Sequence, residues 1–93
     1  MNNYNKNIEI NNCILFFCNT LCFPCELLEK ELKEIKYPII KINIEDNLEV
    51  AKQYDVTSIP SLLFIKNNKT IYTMTGVRKT KDINKVLIHF NMI

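Results

Sequence analysis

Six consecutive apolar residues, Cys13-Ile14-Leu15-Phe16-Phe17-Cys18, follow a polar, Asn-rich opening and constrain the fold more than any other stretch. A strand with one wet face alternates apolar and polar side chains. A run with no polar member has to be covered on both faces, as in the middle of a parallel sheet. Helices must therefore lie on either side of this strand, and the rest of the chain must supply them.

The downstream pattern does so. After a turn at residues 19–21, the stretch Glu26 to Lys36 puts Leu27, Leu28, Leu32 and Ile35 on one helical face, with Glu26/Lys30 and Glu29/Lys33 pairs on the wet side. Tyr37-Pro38 ends it, because the residue before a proline is pushed out of the helical region. Ile39 to Ile44 alternates again as a strand, and Asp46 or Asn47 caps a short helix running to about Tyr54. Strand, helix, strand, helix is the order of parallel pairing through crossover helices. The rhythm then changes. Ser61 to Lys66 and Lys69 to Met74 are strand patterns joined by Asn67-Asn68, residues that tolerate the positive φ angles of a tight hairpin. Thr80 caps a last helix with Ile83, Val86, Leu87 and Phe90 along one face. The expectation is an α/β domain over residues 1–93, with a mixed sheet of four to five strands and three helices. Residues 1–12 are a tail or an edge strand, with Lys6 to Ile10 the candidate for the strand.

At 93 residues the chain holds one core, and 47% apolar content is normal for a globular domain. Twelve basic and ten acidic residues are scattered without a basic run, so nucleic acid is not an expected partner. Met1 to Asn12 lacks the apolar stretch of a secretory signal, and no segment is long enough to span a bilayer. No membrane association and a cytosolic location are the expectation. In that reducing compartment a cysteine pair is catalytic or metal-binding rather than a structural staple.

Cys22-Phe23-Pro24-Cys25 falls where the buried strand has ended and the amphipathic helix begins. Helix N-termini carry unpaired N–H groups and the positive end of the macrodipole, so a thiolate on Cys22 is favoured and its pKa should fall below ~8.5. Pro24 fits the first helical turn, where its missing N–H costs nothing. Cys22, at the outer end, can attack a substrate disulfide; Cys25, further in, can then attack the mixed disulfide and release the reduced product. No cofactor and no metal is required. Far along the chain, Ile59-Pro60 enters the hairpin strand. A cis bond there would turn the chain and leave the Ile59 backbone free to pair with an extended substrate.

These residues resemble the thioredoxin family from Cys13 to Phe90. The resemblance runs through Cys22-Phe23-Pro24-Cys25, Lys41-Ile42-Asn43-Ile44-Glu45, Tyr54-Asp55-Val56-Thr57-Ser58-Ile59-Pro60-Ser61 and Gly76. It implies a thioredoxin fold and a monomeric protein-disulfide reductase, with Cys22 as nucleophile, Cys25 as resolving thiol, the two forming the redox disulfide, and Pro60 cis. It also implies Lys41 near the buried cysteine, aiding proton transfer, and Gly76 and Val77 lining a substrate groove that Leu21, Phe23, Pro24 and Ile59 complete. Its partners would be disulfide-containing proteins and an electron donor, either a reductase or glutathione.

The chain departs from the family pattern at Phe16, where a buried acid is usual, at Leu21, where an aromatic is usual, and at Phe23, where glycine is usual. Without the acid, resolution by Cys25 is expected to be slower or to rely on Lys41 and water. The short N-terminus approaches the glutaredoxin core.

Three rival readings compete. Cys18, Cys22 and Cys25 also spell the cluster motif of radical enzymes that use S-adenosylmethionine, but those need a larger barrel and a glycine-rich strand, and Gly76 is the only glycine here. Two thiolates can bind zinc or copper, or share an iron–sulfur cluster in a glutaredoxin-like dimer, yet no second Cys or His pair stands at metal spacing. An adaptor that binds partners without turnover would not need both cysteines. Cys13 and Cys18 read as small buried side chains, Tyr54, Phe64 and Phe90 as core, and His89 as surface. Lys41, on an apolar strand, must find a polar neighbour or reach water.

Overall fold

The computed structural model describes residues 1–93. The elements in chain order are β1 (Asn2–Asn3), β2 (Cys13–Cys18), α1 (Phe23–Leu32), β3 (Ile39–Asn43), α2 (Leu48–Gln53), β4 (Ser61–Lys66), β5 (Lys69–Thr75) and α3 (Thr80–His89). They build a mixed five-stranded sheet in the order β1-β3-β2-β4-β5, with β1, β3 and β2 parallel and β4 and β5 antiparallel.

All six residues of β2 are buried, and its alternation divides the core. Ile14, Phe16 and Cys18 face a cluster that holds Leu28 and Leu32 of α1 and Ile83 and Leu87 of α3. Cys13, Leu15 and Phe17 face the other side, where Ala51 of α2 covers Ile40, Ile42, Leu63 and Ile65. The two-residue period of a strand thus loads both layers from one segment. The hairpin turns at Asn67 and Asn68, with φ of 51° and 67°. No helix is long and apolar enough to cross a membrane.

Five expectations are corrected. The edge strand is Asn2–Asn3, continued by the Tyr4 N–H to Lys41 C=O bond of 2.9 Å, and not Lys6 to Ile10. Asn5 prevents the latter: its side chain accepts from Asn7 N–H and its carbonyl from Ile8 N–H, closing a turn, while Ile8 and Ile10 pack on the α2-side core. The first helix runs from Phe23 to Leu32 rather than to Lys36, since Glu34 and Ile35 bond back to Glu31 and Leu32 in tighter turns. Leu27 is exposed, at the rim of the stripe that Leu28 and Leu32 fill. Neither the Glu26/Lys30 nor the Glu29/Lys33 pair forms, and Glu29 is drawn instead to Lys41.

Thr80 is the first residue of α3 rather than its cap, which is Lys79. The cap's work is done across the fold: Glu31 of α1 accepts from the Thr80 N–H at 2.8 Å and from its hydroxyl at 2.9 Å. The Thr80 backbone bond, then its hydroxyl, and then the charge of Lys79 hold the Glu31 carboxyl below its ordinary pKa. A carboxyl held low in the folded chain contributes stability that is whole above its unfolded pKa and is lost as pH falls through the folded one. Glu31→Gln should therefore lower the urea midpoint at about pH 7, and the gap to wild type should narrow as the pH falls through the carboxylate range; a gap independent of pH would refute the charged cap.

Candidate active site

The sheet register assembles the site. Phe17 lies opposite Ser61, and Ser61 opposite Thr75, so Ile59-Pro60 and Gly76 sit at the end of the sheet where β2 gives way to the cysteine loop. Gly76 N–H donates to the Pro60 carbonyl at 2.9 Å, which joins those two segments. Nothing approaches a Cβ built on Gly76, so it is its φ of 80°, not lack of space, that calls for glycine. Pro60 is buried and the Ile59-Pro60 bond is cis. Neither backbone group of Ile59 is hydrogen-bonded within the chain.

Cys22 is the N-cap of α1, in extended backbone, and its sulfur accepts from Cys25 N–H at 3.3 Å. Pro24 stands in the first turn, as its missing N–H allows. Cys22 and Cys25 form a disulfide with their Cα atoms 5.2 Å apart. The two sulfurs differ in surroundings: Cys25 is 4% exposed within the core cluster, while Cys22 is partly exposed against its edge. Leu21 precedes them with φ of 53° and a side chain 99% exposed. A positive φ on leucine is strained by about 1–2 kcal/mol, so its outward projection is imposed by the loop. Glu45 accepts from Thr20 N–H at 2.7 Å, and Asn43 donates to the Thr20 hydroxyl at 3.1 Å; these bonds anchor that loop. Phe23, between the two cysteines in sequence, and Val77, after Gly76, are also exposed.

Behind the sulfurs is a cavity of about 260 Å³ that Cys18, Cys22 and Cys25 share with Asn19, Glu29 and Lys41. Lys41 finds its polar neighbour there: Nζ donates to Glu29 Oε1 at 2.7 Å. That bond raises the ammonium's pKa against partial burial, with the charge of Glu29 adding to it. The Cys18 thiol donates to the Ile42 carbonyl, and burial pushes it up, partly offset by Lys41. Burial takes the Cys13 thiol to about 11. Both are free, buried side chains of the core. No group of three or more His, Cys, Asp or Glu side chains is arranged to hold a metal ion.

The thioredoxin family model matches residues 1–89. This chain belongs to the thioredoxin family. The thioredoxin of Haemophilus influenzae is 35% identical over 83 residues, covering 82% of this chain and 78% of that protein. Among solved structures, thioredoxin-2 of a malaria parasite superposes with a TM-score of 0.77 at 18% identity, covering 95% of this chain and 92% of that one. The Drosophila melanogaster thioredoxin Deadhead superposes with a TM-score of 0.74 at 25% identity, covering 84% and 80%. The chain has the thioredoxin fold and is a thiol–disulfide oxidoreductase whose redox pair is Cys22 and Cys25.

Helical spacing alone puts Glu29 on the wet face of α1, paired with Lys33, whereas it turns to Lys41. The missed signal was Lys41. A cation on a buried strand requires an anion, and Glu29, one turn after Cys25, lies within its reach.

Proposed function

We propose that the chain is a single-domain, monomeric reductase of protein disulfides in the cytosol, recharged by a flavin-dependent thioredoxin reductase rather than by glutathione. The observation that supports it best is the unequal burial of one disulfide's two sulfurs, with Cys22 at the edge and Cys25 at 4% exposure. A substrate disulfide can reach only the outer sulfur. Cys22 is thus the nucleophile, with its thiolate favoured by the N-terminus of α1, and Cys25 attacks second.

An extended substrate would pair with the unbonded backbone of Ile59 beside Pro60, over a groove lined by Leu21, Phe23, Pro24, Gly76 and Val77. Its exposed side chains favour substrates with apolar residues next to their cysteines. With dithiothreitol as donor, the purified protein should reduce insulin disulfides catalytically. Replacing dithiothreitol by NADPH and thioredoxin reductase should sustain turnover, and glutathione with glutathione reductase should not. Turnover on glutathione alone would move the protein to glutaredoxin-like service.

A further inference from the structure

If Cys25 is the resolving thiol, as proposed above, it must lose a proton while Cys22 is tied to substrate. Its setting opposes that. Burial raises both other core thiols, and Cys25 shares the cluster of Cys18 at 4% exposure. A base has to reach it through the cavity behind the disulfide, and two carboxylates line that cavity, Glu26 and Glu29. Glu26 follows Cys25 directly, so it projects about 100° round the helix, and it is exposed. Glu29 is four residues on, on the same face as Cys25, and helical side chains lean toward the N-terminus, the direction in which Cys25 lies; both line the cavity. Lys41 holds Oε1 and leaves Oε2 without a protein donor. Asn19, in the same wall, keeps a buried Oδ1 with no protein donor, a second acceptor for a water between thiol and carboxylate.

We infer that Glu29, steadied by Lys41, accepts the proton of Cys25 in the resolving step. The proton passes from Cys25 Sγ through water to the Glu29 carboxylate, and the thiolate attacks Cys22 Sγ. The bond between Cys22 and the substrate breaks as the Cys22–Cys25 bond forms. The substrate cysteine leaves with the electron pair and takes a proton from solvent. The substrate disulfide gains two electrons and the protein dithiol gives them up. The groups facing Glu29 are Lys41 from β3, Cys18 from β2, and Glu26, Lys30 and Lys33 from its own helix. The bond to Glu29 keeps Lys41 protonated, and burial keeps the proton on Cys18.

The test is the rate at which the mixed disulfide with insulin resolves, read by acid quench and mass spectrometry across about pH 6–9. In Glu29→Gln the intermediate should accumulate, with resolution slowed ~10- to ~100-fold near neutrality. Its rate should then rise about tenfold per pH unit as hydroxide takes over, where wild type is shallower. Glu29→Asp should recover part of the rate and the shallow slope, and Glu26→Gln should match wild type. Resolution in Glu29→Gln at wild-type rate and slope, or an equal effect of Glu26→Gln, overturns the inference. A wild-type protein that forms no mixed disulfide refutes instead the reductase reading on which it rests.

Discussion

Cys22→Ser should reduce insulin no faster than dithiothreitol alone, and Cys25→Ser should stall as a covalent adduct with its substrate. The difference follows from where the two sulfurs lie. Cys22 meets solvent at the N-cap of α1, so its loss removes the only sulfur a substrate disulfide can reach. Serine there is a good cap and accepts from the Cys25 N–H as sulfur does, so the helix survives and only the chemistry goes. A hydroxyl at its ordinary pKa is no nucleophile toward a disulfide, and turnover should drop by at least ~10³-fold. In Cys25→Ser the outer thiolate still attacks, but nothing buried behind it can displace the substrate. A non-reducing gel should show the adduct with Cys25→Ser and not with Cys22→Ser, and dithiothreitol should release it. An adduct on Cys22→Ser alone would reverse the assignment. The four-residue span of the disulfide means that breaking it relaxes little of the unfolded chain, so both variants should keep most of their stability.

Much of this was legible in the sequence because the decisive signals are local. A six-residue apolar run allows only a doubly covered strand, and its alternation sends Phe16 and Phe17 to opposite layers. Asn67-Asn68 states its own turn, and Cys22 with Pro24 states its own helix start. What the sequence hid depends on partners distant along the chain. Thr80 looks like a cap by type, yet the acceptor is Glu31, 49 residues away. Glu29 and Lys33 have ideal helical spacing, but an exposed pair is worth only ~0.3–0.5 kcal/mol, and the half-buried cation on β3 offers Glu29 more. Ile8 and Ile10 alternate like a strand, but Asn5 turns the chain first, and so the edge forms earlier, at Asn2–Asn3. Tertiary competition explains the first two of these differences, and a local turn the third.

Phe16→Ala tests the layer beneath the active site. Phe16 is fully buried at the centre of the sheet, with Lys41 beside it on β3 and Leu62 on β4, and it packs in the cluster that holds Cys25, Leu28 and Phe64. Removing a buried ring costs its transfer free energy and leaves a cavity, together about 3–5 kcal/mol. Against a total of ~5–15 kcal/mol for a domain of this kind, that is a large share, and each kcal/mol corresponds to ~4–8 °C in melting temperature. Leu27→Ala, at the exposed rim of α1, should by contrast cost under ~1 kcal/mol in the same urea titration. Activity should separate from stability. The sulfurs are placed by the helix cap and by the loop that Glu45 and Asn43 anchor, and the substitution removes none of those hydrogen bonds. Phe16→Ala should therefore still reduce insulin at temperatures well below its lowered melting point. A loss below ~1.5 kcal/mol would mean that β2 is not the doubly covered strand on which the rest of the fold is built.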